Sequence, residues 1–312
     1  MAKVFRWPAI SQVMLNNQLA RRQQGFTLVE AIVVMVVTAI IAGVVTVFMR
    51  APIEGYFQAV QRLELADSAD AAVRFLARDV RRALPRSLRN PNSNCVEFLP
   101  AMAGGRYCTS ADGCSNPAVS FGTSFNSFGV IGGLSYLPQS GDRIIFHNLG
   151  LDSMDAYQSP SLSSTNVALA GSGSTSQLIN LQSAKTLPST LGQLDIGTAA
   201  GQLPQHFYVV SDSEQAIMYL CSSVGTSNGE GTGRLIRLSH YGVNATAPSV
   251  CPSSFTLGPY AVVLADKVSR CSLNSRAAGL TDRLDVLSIE LEITRGAESV
   301  RLYQEVQVYN DP

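Results

Sequence analysis

The residues of this chain that could do chemistry are six cysteines, three histidines and a carboxylate, Glu30, at the edge of a long apolar run. Cys95, Cys108, Cys114, Cys221, Cys251 and Cys271 all follow that run. An even set of cysteines with no CxxC pair reads as disulfides formed in an oxidising compartment. A zinc site would need closely spaced thiolates and imidazoles, and His147, His206 and His240 stand far from any cysteine in sequence. No metal and no cofactor is therefore expected, and the spacing leaves the cysteine pairing open. No HExxH or GxxxxGK[ST] stretch is present, and Gly171-Ser172-Gly173 is an isolated glycine pair in a serine-rich segment. Glu290 and Glu292 fall on one face of an alternating strand, where solvation accounts for them. Nothing in this set is poised for catalysis, so no enzyme is expected.

Glu30 is the carboxylate that asks for an explanation. Polar and basic residues ending in Ala20-Arg21-Arg22-Gln23-Gln24 lead into Gly25-Phe26-Thr27-Leu28-Val29-Glu30, and no charge follows until Arg50. The uncharged stretch from Ala31 to Met49 spans about 30 Å as a helix, the thickness of a bilayer's hydrocarbon. The basic flank holds the N-terminus on the cytoplasmic side and sends everything after Arg50 outward. A secretory signal cut behind its apolar core would leave Glu30 without a purpose. A plain anchor would not need it either, because a charge at the lip of an apolar helix costs several kcal/mol.

Gly25-Phe26-Thr27-Leu28-Val29-Glu30, with the apolar helix behind it, resembles the prepilin processing site of type IV pilins and type II secretion pseudopilins. The resemblance implies cleavage by a prepilin peptidase between Gly25 and Phe26, and N-methylation of Phe26. Residues 1–25 would be the leader, and 26–52 would stay as a transmembrane or filament-core helix. Glu30 would then pair with the N-terminal amine of a neighbouring subunit, an opposite charge that offsets the desolvation of each.

The elements that must position this segment can be read from periodicity. From Phe57 to Leu84 the apolar residues Leu63, Ala66, Ala69, Val73, Leu76, Val80 and Leu84 recur at helical spacing, with Glu64, Asp67, Arg74, Arg78, Asp79 and Arg81 opposite and Pro85 as the stop. This makes 53–85 an amphipathic periplasmic helix; residues 26–84 would run about 88 Å if unbroken. Gly43 and Pro52 are its expected weak points.

From residue 86 to 312 short apolar runs alternate with Gly, Pro, Asn and Ser, the grammar of strands and turns. The clearest case is Leu287, Ile289, Leu291 and Ile293, then the turn Arg295-Gly296-Ala297-Glu298, then Val300, Leu302, Val306 and Val308, a hairpin with one inward face. Further strands are expected at 96–99, 143–147, 207–210, 216–221, 234–239 and 260–265. The Ser-, Gly- and Thr-rich stretch at about 158–201 reads as a surface insertion with two weak strands. The fold class is thus α+β: a long N-terminal helix, its second half packed on an antiparallel β-sheet domain. Lys and Arg total 23, as do Asp and Glu, so no nucleic-acid partner is expected.

The segments 65–72 and 78–85, Val96-Glu97-Phe98-Leu99-Pro100, Met218-Tyr219-Leu220-Cys221, Leu264-Ala265-Asp266-Lys267-Val268 and Gln304-Glu305-Val306-Gln307-Val308 resemble the MshO family, minor pilins of the mannose-sensitive haemagglutinin pilus. Cys108, Cys114 and Cys251 depart from it. The resemblance implies a low-abundance subunit that initiates, caps or regulates a pilus. Its partners would be other pilins, prepilin peptidase, an inner-membrane assembly platform and, before assembly, lipid. A J-type pseudopilin of type II secretion and a tip adhesin or DNA-binding pilin are the alternatives.

Overall fold

The structure is a computed structural model that describes residues 25–151, 154–159, 165–189, 205–246, 248, 250–252, 259–276, 284–296 and 298–309. Among the described residues there is one long helix, α1 (Leu28–Val80). The strands that follow are β1 (Arg89–Asn92), β2 (Cys95–Phe98), β3 (Ala103–Tyr107), β4 (Ser124–Ile131), β5 (Arg143–Phe146), β6 (Val167–Leu169), β7 (Leu178–Thr186) and β8 (His206–Val210). After them come β9 (Ile217–Ser222), β10 (Thr226–Ser227), β11 (Glu230–Gly231), β12 (Gly233–Leu238), β13 (Ala261–Arg276), β14 (Leu284–Arg295) and β15 (Glu298–Tyr309). Two compact units divide at Phe57/Gln58, so the helix contributes to both.

In the second unit the helix packs on a seven-stranded antiparallel sheet of order β1-β2-β9-β12-β13-β14-β15. The buried helix stripe is Leu65, Ala69, Ala72, Val73, Leu76, Ala77 and Val80, which recur three or four residues apart. The expected stripe began too early: Leu63 is 65% exposed, because the buried face starts at Leu65. Three alanines in the stripe let the helix lie close to Val96, Tyr219, Leu273, Leu287 and Ile289. The hairpin β14–β15 has the expected register, with Leu287 opposite Val306 and Leu291 opposite Leu302.

The helix ends at Val80, four residues before the expected Leu84. The chain just beyond the helix is captured beside β2: Ala83 bridges to Pro100, and the Leu84 N–H donates to the Leu99 carbonyl at 2.7 Å. That exit also corrects Asp79. It was expected on the solvent face, yet it is only 5% exposed. Its Oδ2 accepts from the Arg237 Nε at 2.7 Å and from the Tyr219 hydroxyl at 2.8 Å. Glu214 then joins Arg237 to Arg82, so five polar side chains fasten the end of the helix to β9 and β12.

A second antiparallel sheet, of order β6-β5-β8-β3-β4-β7, has its own core. Phe128 meets Phe207 and Phe146 edge to face, at centroid separations of 5.0 and 5.2 Å. This sheet corrects the reading of 158–201 as a surface insertion. Strands β6 and β7 are structural members of it, and Val167, Ala168, Ala170, Ile179, Leu181 and Leu187 are buried. Lys185, one of the few charges in the stretch, occupies an inward position and donates to the Thr165 hydroxyl at 3.0 Å. Residues 160–164 and 190–201 of that stretch lie outside the described residues. Gly105 of β3 is required for packing, since a Cβ there would sit 2.7 Å from Leu134 and 2.9 Å from the Phe207 ring.

His147 is fully buried in the second sheet, its Nε2 2.7 Å from the Tyr107 hydroxyl. Burial, with His206 adding to it, pulls its pKa down from 6.5 to about 4. A depressed imidazole pKa means that the folded state resists protonation. His147 therefore contributes stability that is fully present above pH 6.5 and is lost as the pH falls towards about 4. The full loss is on the order of 3 kcal/mol. Urea unfolding of the native chain and of His147→Gln at pH 7 and pH 4 checks this, the variant losing less between the two; equal losses would assign the acid sensitivity elsewhere.

Candidate functional site

The site is built on the first turn of α1. The Thr27 hydroxyl accepts from the Glu30 N–H at 3.2 Å, and the Thr27 carbonyl accepts from the Ala31 N–H at 3.1 Å. Thr27 is thus the N-cap, and Thr27-x-x-Glu30 has the spacing of a capping box. This puts the Glu30 carboxylate in the first turn, where the positive end of the helix dipole favours it. Gly25 and Phe26 precede the helix, exposed and outside regular structure, with Phe26 79% exposed. The peptide bond between them is exposed, and Phe26 stands four residues before Glu30 in the chain.

From Leu28 to Met49 the helix presents apolar side chains to its surroundings and buries none of them. Its only two polar side chains after Glu30 are turned inward on their own backbone. The Thr38 hydroxyl donates to the Val34 carbonyl and the Thr46 hydroxyl to the Ala42 carbonyl, each at 2.7 Å. The helix continues through Gly43 and Pro52, the two expected weak points. It is long and apolar enough to cross a membrane. Arg21 and Arg22 lie outside the described residues.

The six cysteines form three disulfides, Cys95–Cys251, Cys108–Cys114 and Cys221–Cys271. Among the described residues no three His, Cys, Asp or Glu side chains gather as metal ligands. Sequence reasoning overlooked a G-x-S-x-G spacing at Gly225-Thr226-Ser227-Asn228-Gly229. The structure makes it the turn of the small hairpin β10–β11, with Asn228 and Gly229 at positive φ. A nucleophile elbow needs a strand running into a helix, and this turn joins two short strands. The polar cluster around Asp79 was also missed; a lone acid at the end of an amphipathic stripe carries no mark of burial.

A model of the prokaryotic N-terminal methylation motif matches residues 20–46, which contain Gly25, Phe26 and Glu30. No curated protein and no solved structure matches the chain. The chain carries a type IV pilin-like prepilin signal on an α+β, type IV pilin-like architecture. The one apolar helix of that length among the described residues fits a membrane-anchored, single-pass pilin, and that class is structural rather than enzymatic.

Proposed function

We propose that the chain is a prepilin that becomes a minor subunit of a type IV pilus of the MshO kind. Prepilin peptidase cuts between Gly25 and Phe26 and methylates the Phe26 amine. The N-terminus starts in the cytoplasm and the β-rich domain in the periplasm. Assembly with other pilins runs through residues 26–52, where Glu30 meets the amine of a neighbouring subunit. The observation that carries this reading is the coincidence of the methylation motif at 20–46 with a Thr27-capped helix whose one early carboxylate is Glu30. The repeated local likeness to MshO proteins supports the narrower assignment.

Mass spectrometry of the native N-terminus tests the reading, with N-methylated Phe26 as the first residue expected. Gly25→Asp should leave the leader attached and raise the mass by about 25 residues; a native chain that begins at Met1, or a variant of unchanged mature mass, would remove the prepilin reading. Glu30→Val should be processed normally yet enter filaments at least about tenfold less, since it deletes one partner of a desolvated pair. Normal incorporation would remove the amine-pairing role alone.

A further inference from the structure

Between the second sheet and the turn that follows β8 lies a cavity of about 340 Å³. Arg143, Asp212, Ser211 and Gln215 give it polar groups, and Leu169 and Val243 give it apolar walls. Arg143 is the first residue of β5, and its backbone is fixed between Leu169 on one side and Val210 on the other. The guanidinium is partly buried, and its one hydrogen bond among the described residues runs from Nη1 to the Gln158 carbonyl at 3.2 Å. No carboxylate among the described residues lies within ion-pair distance of it. Burial pulls its pKa down, and the field of Asp212 acts the other way.

The polar wall opposite is held in place. Asp142, 2% exposed, accepts from the Tyr136 hydroxyl at 2.9 Å, the Gln139 N–H at 2.9 Å and the Asp212 N–H at 3.0 Å. Gln215 donates to Asp212 Oδ1 at 3.1 Å and accepts from the Gly242 N–H at 2.7 Å. Among the described residues no hydrogen bond is made to Asp212 Oδ2, which keeps its acceptor capacity. A partly buried guanidinium that keeps N–H donors free beside a cavity is suited to a planar anion, which it can take by two parallel charge-assisted hydrogen bonds.

We propose that this cavity binds a small carboxylate-bearing molecule, its carboxylate on Arg143 and its hydroxyl or ammonium groups on Asp212. Acidic sugars and amino acids share that chemistry and fit the volume. The proposal does not depend on how the chain is processed or assembled, so its failure leaves the filament reading untouched.

The test is isothermal titration of the full chain in detergent with D-galacturonate, with L-glutamate, and with D-galactose as the neutral twin. At least one carboxylate should bind saturably and at least about tenfold more tightly than galactose, the size of one good charged contact. Whichever acid binds identifies the source of the carboxylate. Arg143→Gln should lower that affinity at least about tenfold at an unchanged melting temperature, and Arg143→Lys, which keeps the charge without the fork, should fall between. Should Arg143→Gln fail to fold, Arg143→Lys and the exposed Asp212→Asn carry the test, each weakening the binding. Saturation by neither acid, galactose binding as tight as galacturonate, or variants that bind as the native chain does would overturn the proposal.

Discussion

Asp79→Ala is expected to lower the stability of the folded domain by about 3 to 5 kcal/mol, the cost of breaking a buried ion pair from one side. Asp79 takes hydrogen bonds from both the Arg237 guanidinium and the Tyr219 hydroxyl, and Arg237 is only 11% exposed in its side chain. Without the carboxylate, the guanidinium keeps Glu214 as its counter-charge but loses the acceptor at Nε, and the tyrosine hydroxyl loses its partner in a buried place. The effect should be cooperative, because the same carboxylate holds the final turn of α1 against β9 and β12. Urea unfolding of the full chain measures it. Asp79→Asn should fall between, as it keeps an acceptor for Tyr219 without the charge, and Asp79→Ala/Arg237→Met should recover part of the loss by removing the stranded cation. A change below about 1 kcal/mol for Asp79→Ala would mean that the pair contributes no more than an exposed one.

The second large effect concerns the disulfides, whose loops differ greatly in length. Cys95–Cys251 spans 156 residues and Cys108–Cys114 spans 6. Closing the longer loop in the unfolded chain stabilises the fold by about 5 kcal/mol on chain-entropy grounds, and the shorter by about 2. The long cross-link ties β2 to the segment after β12. That segment is also held by Arg89, which donates to the carbonyls of Asn244 and Ala245 and stacks on the Tyr157 ring. Cys95→Ser/Cys251→Ser should therefore unfold at a much lower urea concentration than Cys108→Ser/Cys114→Ser. Equal midpoints for the two double variants would rule out loop length as the source of the difference.

What could be read in the sequence follows from how each element is stabilised. The helix and the β14–β15 hairpin bury one clean apolar face each, so their periods survive in the residue order. The second sheet hides its pattern. Strand β3 reads Ala-Gly-Gly-Arg-Tyr because Leu134 and Phe207 fill the space where a side chain at Gly105 would go. Strand β7 turns Lys185 inward, which breaks the alternation that would have marked it. Strand β13 was expected to stop near Ala265 but runs to Arg276, passing a register shift against β12, between Ala265 and Val268, where Lys267 adopts a positive φ. Gly231 lies against that irregularity, where a Cβ would come impossibly close to the Lys267 carbonyl.

At the candidate site the reverse holds. Gly25, Phe26 and Glu30 are local in sequence, and a single helix start displays all three, so the candidate site can be proposed from the residue order alone. Asp79, Glu214, Arg237 and Arg143 act through neighbours far along the chain, and no spacing rule brings such residues together in advance. The cysteine pairing is of the same kind, since it depends on which strands end side by side.

The two threonines of the apolar segment bear on how it partitions between environments. Each spends its hydroxyl within its own helix, so transfer of the segment from acyl chains to a sheath of other helices breaks no hydrogen bond along its length. On the proposed reading, dispersion forces and shape fit would set the preference along the stem, and the chemical specificity of the exchange would fall to the ionisable Glu30 at its tip.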